Sequence, residues 1–275
     1  MAAHTCYGVD FSGAATAGRT IWVTSAHADA GTLRVRDCAR ADDFLAAHYD
    51  GPPTTDRAPT LAALVSFIRS HPDAVFGLDF PFAVPRAIAT DALGATTHRA
   101  VVAAVAAHDD GDDFAATCVE WATANADGAT YLRRATDREH DALSPYHFFV
   151  AHQTYHGIAS VLAPLDDAAR IVPFDPPAAG GPVVAETYPA GVLDARGLPR
   201  TEYKGTEQAH TQRRVRILDG LADQSSVAIP DAIRATYRDD TGGDALDSLL
   251  AALGVSGCRD AWGHEPSSLT GHIYV

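Results

Sequence analysis

Several segments in the N-terminal part of the chain have hydrophobic and polar positions that are typical of β-strands. Four segments carry a two-residue alternation or a continuous apolar run: residues 4–11, 20–28, 31–39 and 74–82. The "DAG" connection at 29–31 is short enough for a hairpin between the second and third strands. The fourth segment, "AVFGLDFPF", is apolar almost throughout, which predicts a strand buried on both faces in the centre of a mixed sheet.

Helical spacing of apolar residues dominates the remainder of the chain. It predicts helices at 60–70 and 206–221, a largely helical stretch from 86 to about 165, and a closing helix from Asp244. Inside the helical stretch, "DDGDDF" (109–114) is expected to be an exposed acidic loop or a helix start. A proline- and glycine-rich connector at 171–182 is followed by a predicted strand at 183–189, "VVAETYP".

The order of these elements is three adjacent strands, a helix, a strand, a helical insert, a strand and two helices. Three antiparallel strands followed by strands that need crossover connections are typical of a ribonuclease H-like α/β sheet. We therefore expect a single domain over residues 1–275. Its mixed sheet would be flanked by helices, with a mostly helical insert at about 86–180.

Composition and cysteine usage narrow the class of protein. Hydrophobic residues make up 47% of the 275, enough for a sizeable core, and no apolar run approaches the roughly 20 residues of a membrane span. The N-terminal segment has no basic stretch followed by an apolar one, so no secretory signal is expected. The cysteines are scattered, without a CxxC pair: Cys6, Cys38, Cys118 and Cys258. We expect a cytoplasmic protein with free thiols, no membrane association and no cysteine-built zinc site.

The charged residues are unusual in kind. Lys204 is the only lysine among 21 basic residues, and 29 of the 35 acidic residues are aspartate. A net charge of −14 would ordinarily argue against a polyanionic partner, because phosphate binding depends on Lys and Arg. An acid excess with almost no lysine also fits a salt-adapted organism, since a Debye length of about 3 Å near 1 M salt screens surface repulsion. The surface charge therefore indicates more about the solvent than about the ligand.

Acidic residues follow three predicted strands and open the closing helix. Asp10 ends the first strand, Asp79 ends "FGLD", and Glu186 stands near the end of "VVAE". Asp244 and Asp247 are three residues apart and share one face of the last helix. Ligands of open α/β sheets lie beyond the carboxyl ends of the strands. The five carboxylates are therefore predicted to meet there as a catalytic cluster.

Such a cluster needs a positive counter-charge. Oxygen-only ligand sets suit Mg²⁺ or Mn²⁺, and a pair of such ions about 3.5–4 Å apart can act on a phosphodiester. We expect Asp10, Asp79 and Asp247 to bind metal directly. Asp244 and Glu186 would complete the shell or position the attacking water.

Each acid also has a simpler interpretation. Asp10 would cap a turn, and Asp79 would bond the following loop. Glu186 would form a buried pair with an arginine. Asp244 and Asp247 would complement the dipole of their helix.

Eight motifs are distributed in order along nearly the whole chain: "YGVDFSGA", "GRTIWV", "GLDFPFAVP", "RRATD", "QTYHGIASVL", "ETYPAGVLDARGLPRTEYKG", "DALDSLLAAL" and "GHIYV". Together they resemble DUF429, a family of domains of unknown function in the ribonuclease H-like superfamily. The resemblance implies that Asp10, Asp79 and the pair Asp244 and Asp247 correspond to the carboxylates of Holliday-junction resolvases. Those resolvases use glutamate where this chain has Asp79, which shortens the reach to a metal, and they have no counterpart of Glu186.

Several basic residues are candidates for holding a substrate. The arginines of "RRATD" and "QRRVR" suit bidentate contacts with phosphate, although salt bridges to surrounding acids explain them equally well. They are Arg133, Arg134, Arg213, Arg214 and Arg216. Retention of Lys204 against the compositional trend suggests a role for its compact ammonium group that arginine cannot fill.

Other polar side chains suit the same cleft. Gln153 is placed to orient a substrate, and the backbone from Ser12 to Ala15 is placed to cradle a phosphate. His152 and His156 are four residues apart, which is a usable zinc spacing, but no HExxH glutamate accompanies them. A packed, hydrogen-bonded pair is the preferred interpretation of these two histidines.

The leading hypothesis is a divalent-metal-dependent phosphodiesterase, most plausibly a nuclease, with a nucleic acid or nucleotide as substrate. An actin-like ATP-binding phosphotransferase is the second hypothesis, because "GVDFSGAATAG" is loosely similar to the first phosphate loop of that class. A third is a non-catalytic binding domain on the same fold. The sequence leaves the oligomeric state open.

Overall fold

Seven strands form one mixed sheet in the residues that the computed structural model describes, which are 3–176, 180–224, 226–257 and 268–275. The strands are β1 (His4–Asp10), β2 (Trp22–Asp29), β3 (Thr32–Arg40), β4 (Val75–Leu78), β5 (Arg170–Val172), β6 (Val183–Glu186) and β7 (Val227–Ala228). Their order across the sheet is β5-β6-β4-β1-β2-β3-β7. β1, β2 and β3 are antiparallel neighbours, whereas β4, β6 and β5 continue parallel to β1. The predicted mixed sheet is confirmed.

Helices flank the sheet. The longer ones are α3 (Arg57–Arg69), α4 (His98–Ala106), α5 (Gly111–Asn125), α7 (Ala151–Gly157), α9 (Pro189–Ala195), α10 (Gln208–Asp223), α11 (Asp231–Asp239) and α12 (Asp244–Gly254). Short helices are α1 (Ala17–Thr20), α2 (Ala41–Phe44), α6 (Ala135–Glu139) and α8 (Ala163–Leu165). A 3₁₀ turn at Ala46–His48 and π-turns at Ile88–Ala92 and Ile158–Leu162 complete the elements.

Backbone conformation and a side-chain cap explain the structure of two predicted connections, the one at 29–31 and the one at 109–114. Ala30 and Gly31 both have positive φ, 50° and 85°, which is the backbone of a two-residue hairpin loop between β2 and β3. The "DDGDDF" segment is a helix start. The Asp110 carboxylate accepts the backbone N–H groups of Asp112 and Asp113 and so caps α5.

Helix α12 lies directly on the sheet because β1 and β4 present glycine to it. Gly8 and Gly77 are partners in the β1–β4 ladder. A Cβ at Gly8 would lie 2.0 Å from the carbonyl oxygen of Ser248, and one at Gly77 would lie 2.4 Å from that of Ala251. Only glycine permits this approach. By the two-residue period of a strand, Asp10 and the position after β4, Asp79, belong to the same face.

Several elements differ from the predicted ones. β5 occupies part of the segment that we expected to be a connector, and β7, α9 and α11 were not predicted. The apolar run at 74–82 forms a strand only at Val75–Leu78. Residues 170–172 of β5 pair with β6, so the stretch 86–180, expected to be mostly helical, also contributes to the sheet.

Cys6, Cys38 and Cys118 are free thiols, and Cys258 lies outside the described residues. No helix in the described ranges combines the length and apolarity that a bilayer crossing requires.

Candidate functional site

Three carboxylates from distant parts of the chain converge at the carboxyl end of β1. One oxygen each of Asp10, Asp244 and Asp247 lies within 4.8 Å of the others. Asp10 and Asp247 are buried, and Asp244 is partly exposed. The close packing of α12 on β1 brings the helical pair to the end of the strand. The group offers oxygen atoms only, which is the donor set of hard divalent cations.

Asp79 lies beside this group but is not one of its three members. Its backbone N–H donates to the carbonyl of Val9, which fixes it next to the end of β1. Burial raises its pKa well above the usual value, and the charge of Asp247 adds to the effect. The geometry therefore favours Asp244 over Asp79 as the third ligand of an ion.

An ammonium group provides positive charge at the cluster. Nζ of Lys204 lies 2.6 Å from Oδ2 of Asp247 and 3.3 Å from Oδ1 of Asp244. The Tyr203 hydroxyl donates to the other oxygen of Asp247 at 2.7 Å. Tyr203 was not singled out from the sequence, although its position next to the only lysine was an available signal. Its side chain is buried, whereas that of Lys204 is 51% exposed.

A glycine and a buried arginine hold the loop that carries Lys204. Gly243 precedes α12 with φ of 77°, and a Cβ there would lie 2.9 Å from Cγ of Lys204. The Arg214 guanidinium donates to the carbonyls of Tyr203 and Gly205 on either side of the lysine. Because Arg214 is 1% exposed and engaged in these bonds, it serves the loop rather than a substrate phosphate.

The cluster has more carboxylates than cations, even with Lys204 present. Burial raises the pKa of Asp10 well above its usual value, and repulsion from Asp247, Asp79 and Asp244 raises it further. Burial also raises the pKa of Asp247, against the opposing effect of Lys204. One ammonium group is therefore insufficient to neutralise the site, and a divalent cation would relieve the remaining repulsion.

Glu186 belongs to a separate buried network. Arg134 binds it through two parallel contacts, Nη2 to Oε1 at 2.5 Å and Nη1 to Oε2 at 2.8 Å. The same guanidinium also donates to Asp137 at 2.6 Å, and the backbone N–H of Phe82 donates to Glu186 at 3.0 Å. All three charged side chains are buried. This is the arginine pairing that stood as the simpler interpretation of Glu186.

Two further arginines of these motifs, Arg133 and Arg213, are paired with surface acids. Arg133 contacts Asp141 at 3.2 Å, and Arg213 contacts Glu202 at 2.8 Å. Of the two histidines on α7, His152 lies 3.0 Å from Asp112, whereas burial lowers the pKa of His156 to about 4. None of these residues belongs to the three-carboxylate group.

Two pockets flank the acids and share Gln153, whose side-chain amide donates to the carbonyl of Asp79. One, of about 160 Å³, is lined by Asp79, Glu186 and Arg134. The other, of about 390 Å³, is lined by the segment from Phe11 to Ala15 and by Arg57. Ser12 lies in that segment and accepts the N–H of Ala14 at 3.2 Å. A substrate therefore has space on both sides of Gln153.

Comparison of the chain with protein-family models, curated proteins and solved structures finds no match, so the similarity to DUF429 domains stays a prediction and the site is interpreted from its own geometry.

Proposed function

We propose that the protein is a divalent-metal-dependent hydrolase of phosphodiester bonds and that it acts as a nuclease. The observation that carries this proposal is the convergence of Asp10, Asp244 and Asp247 within 4.8 Å. Mg²⁺ or Mn²⁺ is the ion that such a ligand set favours. The sheet order supports a ribonuclease H-like fold, because antiparallel β3, β2 and β1 are followed by parallel β4 and β6.

The roles of the side chains follow from their positions. Asp10, Asp247 and Asp244 would hold the ion, which would supply Lewis-acid activation of water and stabilisation of charge on the phosphate oxygens. Asp79, which borders the smaller pocket, orients the attacking water and accepts its proton. The water oxygen bonds to phosphorus, the ester P–O bond breaks, and the leaving oxygen takes a proton from solvent. Lys204 is half exposed and can contact a non-bridging oxygen.

Glu186 and Arg134 act as positioning residues in this account. Their ion pair forms one wall of the pocket that contains Asp79. The backbone N–H of Phe82, which follows the Asp79 segment, is bonded to Glu186. The pair therefore fixes the chain around Asp79 without contacting the ion.

The test is cleavage of a fluorescent oligonucleotide in Mn²⁺ at high salt by purified wild type and Asp10→Asn. We expect cleavage by wild type, its loss in EDTA, and its loss in Asp10→Asn with an unchanged circular dichroism spectrum. The matched control is Asp37→Asn on β3, outside the cluster, which should cleave normally. Metal-dependent cleavage retained by Asp10→Asn would overturn the proposal, as would a wild type without cleavage.

One observation favours a second candidate, an ATP-binding phosphotransferase. The 390 Å³ pocket is lined by the residues from Ser12 to Ala15 and by Arg57, a set that suits a nucleotide phosphate. This candidate predicts saturable binding of ATP without nucleic acid, together with transfer of the γ-phosphate. The first candidate predicts phosphodiester cleavage without ATP.

A further inference from the structure

Exposed apolar side chains are concentrated in one short segment next to the acidic site. In the described part of the chain the large hydrophobic residues that solvent reaches most are Leu143 (45%), Phe148 (63%), Phe149 (74%) and Val275 (39%). Three of these four lie within residues 143–149. Their exposure is unexplained by the packing of the fold, and contiguous exposed apolar surface indicates a binding site.

The rings of this segment form a continuous aromatic surface. The centroids of Phe148 and Phe149 are 4.1 Å apart, those of His147 and Phe148 are 4.3 Å apart, and Tyr131 lies 4.5 Å from His147. The backbone N–H groups of Val150 and Ala151 both donate to the carbonyl of His147 and hold the turn in place. The rings are therefore presented on an ordered turn at the start of α7.

Exposed apolar residues of the segment 143–149 line both pockets of the candidate site. Phe149 lines the larger pocket together with Phe11 and Ser12, which directly follow Asp10 in the chain. Leu143 lines the smaller pocket together with Asp79. A ligand that lies across this surface therefore extends toward the carboxylates.

We propose that Phe148 and Phe149 are a stacking platform for successive bases of a single-stranded nucleic acid whose phosphate reaches the carboxylate group. The inference rests on the proposed function and names its substrate class. Every nucleobase has a π-face, and stacking on an aromatic side chain contributes about 1–3 kcal/mol per base.

The charge of the protein favours this mode of binding over an electrostatic one. With a net charge of −14, acids outnumber the 21 basic residues, which disfavours binding that depends on neutralising many phosphates. Ionic contacts also weaken as salt rises, whereas base stacking depends little on ionic strength. A salt-adapted nuclease would therefore rely on stacking for affinity.

Self-association is a poorer explanation of the same surface. A stable protein–protein interface usually involves about 20–30 residues on each side. The exposed apolar part of this segment consists of Leu143, Phe148 and Phe149. Two successive bases match an area of this size.

The experiment measures fluorescence anisotropy of three probes in Ca²⁺ at high salt. The probes are a labelled eight-residue oligothymidylate, an abasic strand of the same length, and labelled thymidine monophosphate. The variants are Phe148→Ala, Phe149→Ala and Phe149→Trp, with Val275→Ala as the exposed apolar control. Sedimentation velocity at several concentrations accompanies each variant.

We expect wild type and Val275→Ala to bind the oligothymidylate more tightly than the abasic strand. Phe149→Ala should lose about 5- to 150-fold in affinity for the oligothymidylate, with no change for the abasic strand, and Phe149→Trp should retain tight binding. Equal affinity for the two strands would overturn the inference, as would equal losses on both. Thymidine monophosphate binding as tightly as the strand, or a Phe149-dependent dimer, would also overturn it.

The two proposals can fail separately. If wild type shows metal-dependent cleavage but binds the oligothymidylate and the abasic strand equally well, only the stacking inference is wrong. If wild type binds the base-bearing strand more tightly but does not cleave it, only the proposed hydrolase function is wrong.

Discussion

The ammonium group of Lys204 lies 2.6 Å from the carboxylate of Asp247, and it belongs to the only lysine in the chain. The contact places a fixed monovalent cation at a group of acids that is suited to a divalent one. A metal ion that binds here must therefore displace the ammonium group from Asp247 or share the Asp247 carboxylate with it. The arrangement makes Lys204 both a support of the metal-free fold and a competitor of the ion.

Replacement of Lys204 by Met separates these two effects. Without metal, the variant should lose about 1 kcal/mol or less of unfolding free energy, because the lysine is half exposed and solvent weakens its ion pairs. With Mn²⁺, its rise in melting temperature should exceed that of wild type, since a competing cation is gone. Thermal denaturation with a Mn²⁺ titration measures both.

The matched control for Lys204→Met is Arg213→Met, which removes an exposed cation paired with Glu202 away from the site. It should leave the response to Mn²⁺ at the wild-type value. A smaller Mn²⁺ response in Lys204→Met than in wild type would show that the lysine does not compete with the ion.

Asp10→Asn should stabilise the metal-free protein. Burial and the neighbouring carboxylates raise the pKa of Asp10, so folding at neutral pH places this group in an environment that disfavours its charge. Each unit of pKa elevation corresponds to about 1.4 kcal/mol. Urea denaturation in EDTA should show a gain of about 1 kcal/mol or more, together with loss of stabilisation by Mn²⁺. A less stable variant would contradict this electrostatic account of the cluster.

The advantage of Asp10→Asn should depend on pH in a defined direction. A carboxyl whose folded pKa is raised holds a proton that the unfolded chain has released, so its contribution to stability declines as pH rises above the ordinary value of 3.8. The unfolding free energies of wild type and Asp10→Asn should therefore be similar near pH 4 and diverge toward pH 7 in EDTA. If the extra stability of Asp10→Asn over wild type became smaller as pH rises, the raised pKa of Asp10 would be contradicted.

Glu186→Gln should affect folding and leave the ion-binding group intact. Removal of the Glu186 charge weakens two charge-assisted hydrogen bonds while Asp137 still pairs with the buried guanidinium, so the variant should lose about 1.5–3 kcal/mol of unfolding free energy. Calorimetric titration with Mn²⁺ below the melting temperature should give the wild-type affinity. A normally stable variant that no longer binds Mn²⁺ would instead make Glu186 a metal ligand.

Regular alternation made the centre of the fold predictable. β1, β2 and β3 have alternating apolar positions and β4 has a continuous apolar run, which identify them as strands. Asp10 ends β1, Asp79 follows β4, and the ends of these two strands meet at one edge. β5 and β7 have three and two residues, which is too short for a period to be recognised. Their pairing depends on neighbouring strands rather than on local sequence.

The acidic residues of the site were predictable from the sequence, but the residues that contact them were not. The spacing of Asp244 and Asp247 on one helix face was visible in the sequence, and composition drew attention to Lys204. The assignment of Arg134 to Glu186 joins residues 52 positions apart and depends on tertiary packing. The contact of α12 with Gly8 and Gly77 likewise requires the register of β1 and β4.

Anomalous X-ray scattering from a crystal grown with Mn²⁺ at high salt tests the central claim most directly. The account predicts a manganese peak within about 2.0–2.6 Å of oxygens from Asp10, Asp244 and Asp247, with the ammonium of Lys204 moved away from Asp247. Density that shows Lys204 still bound to Asp247, with no manganese peak among the three aspartates at millimolar Mn²⁺, would contradict it.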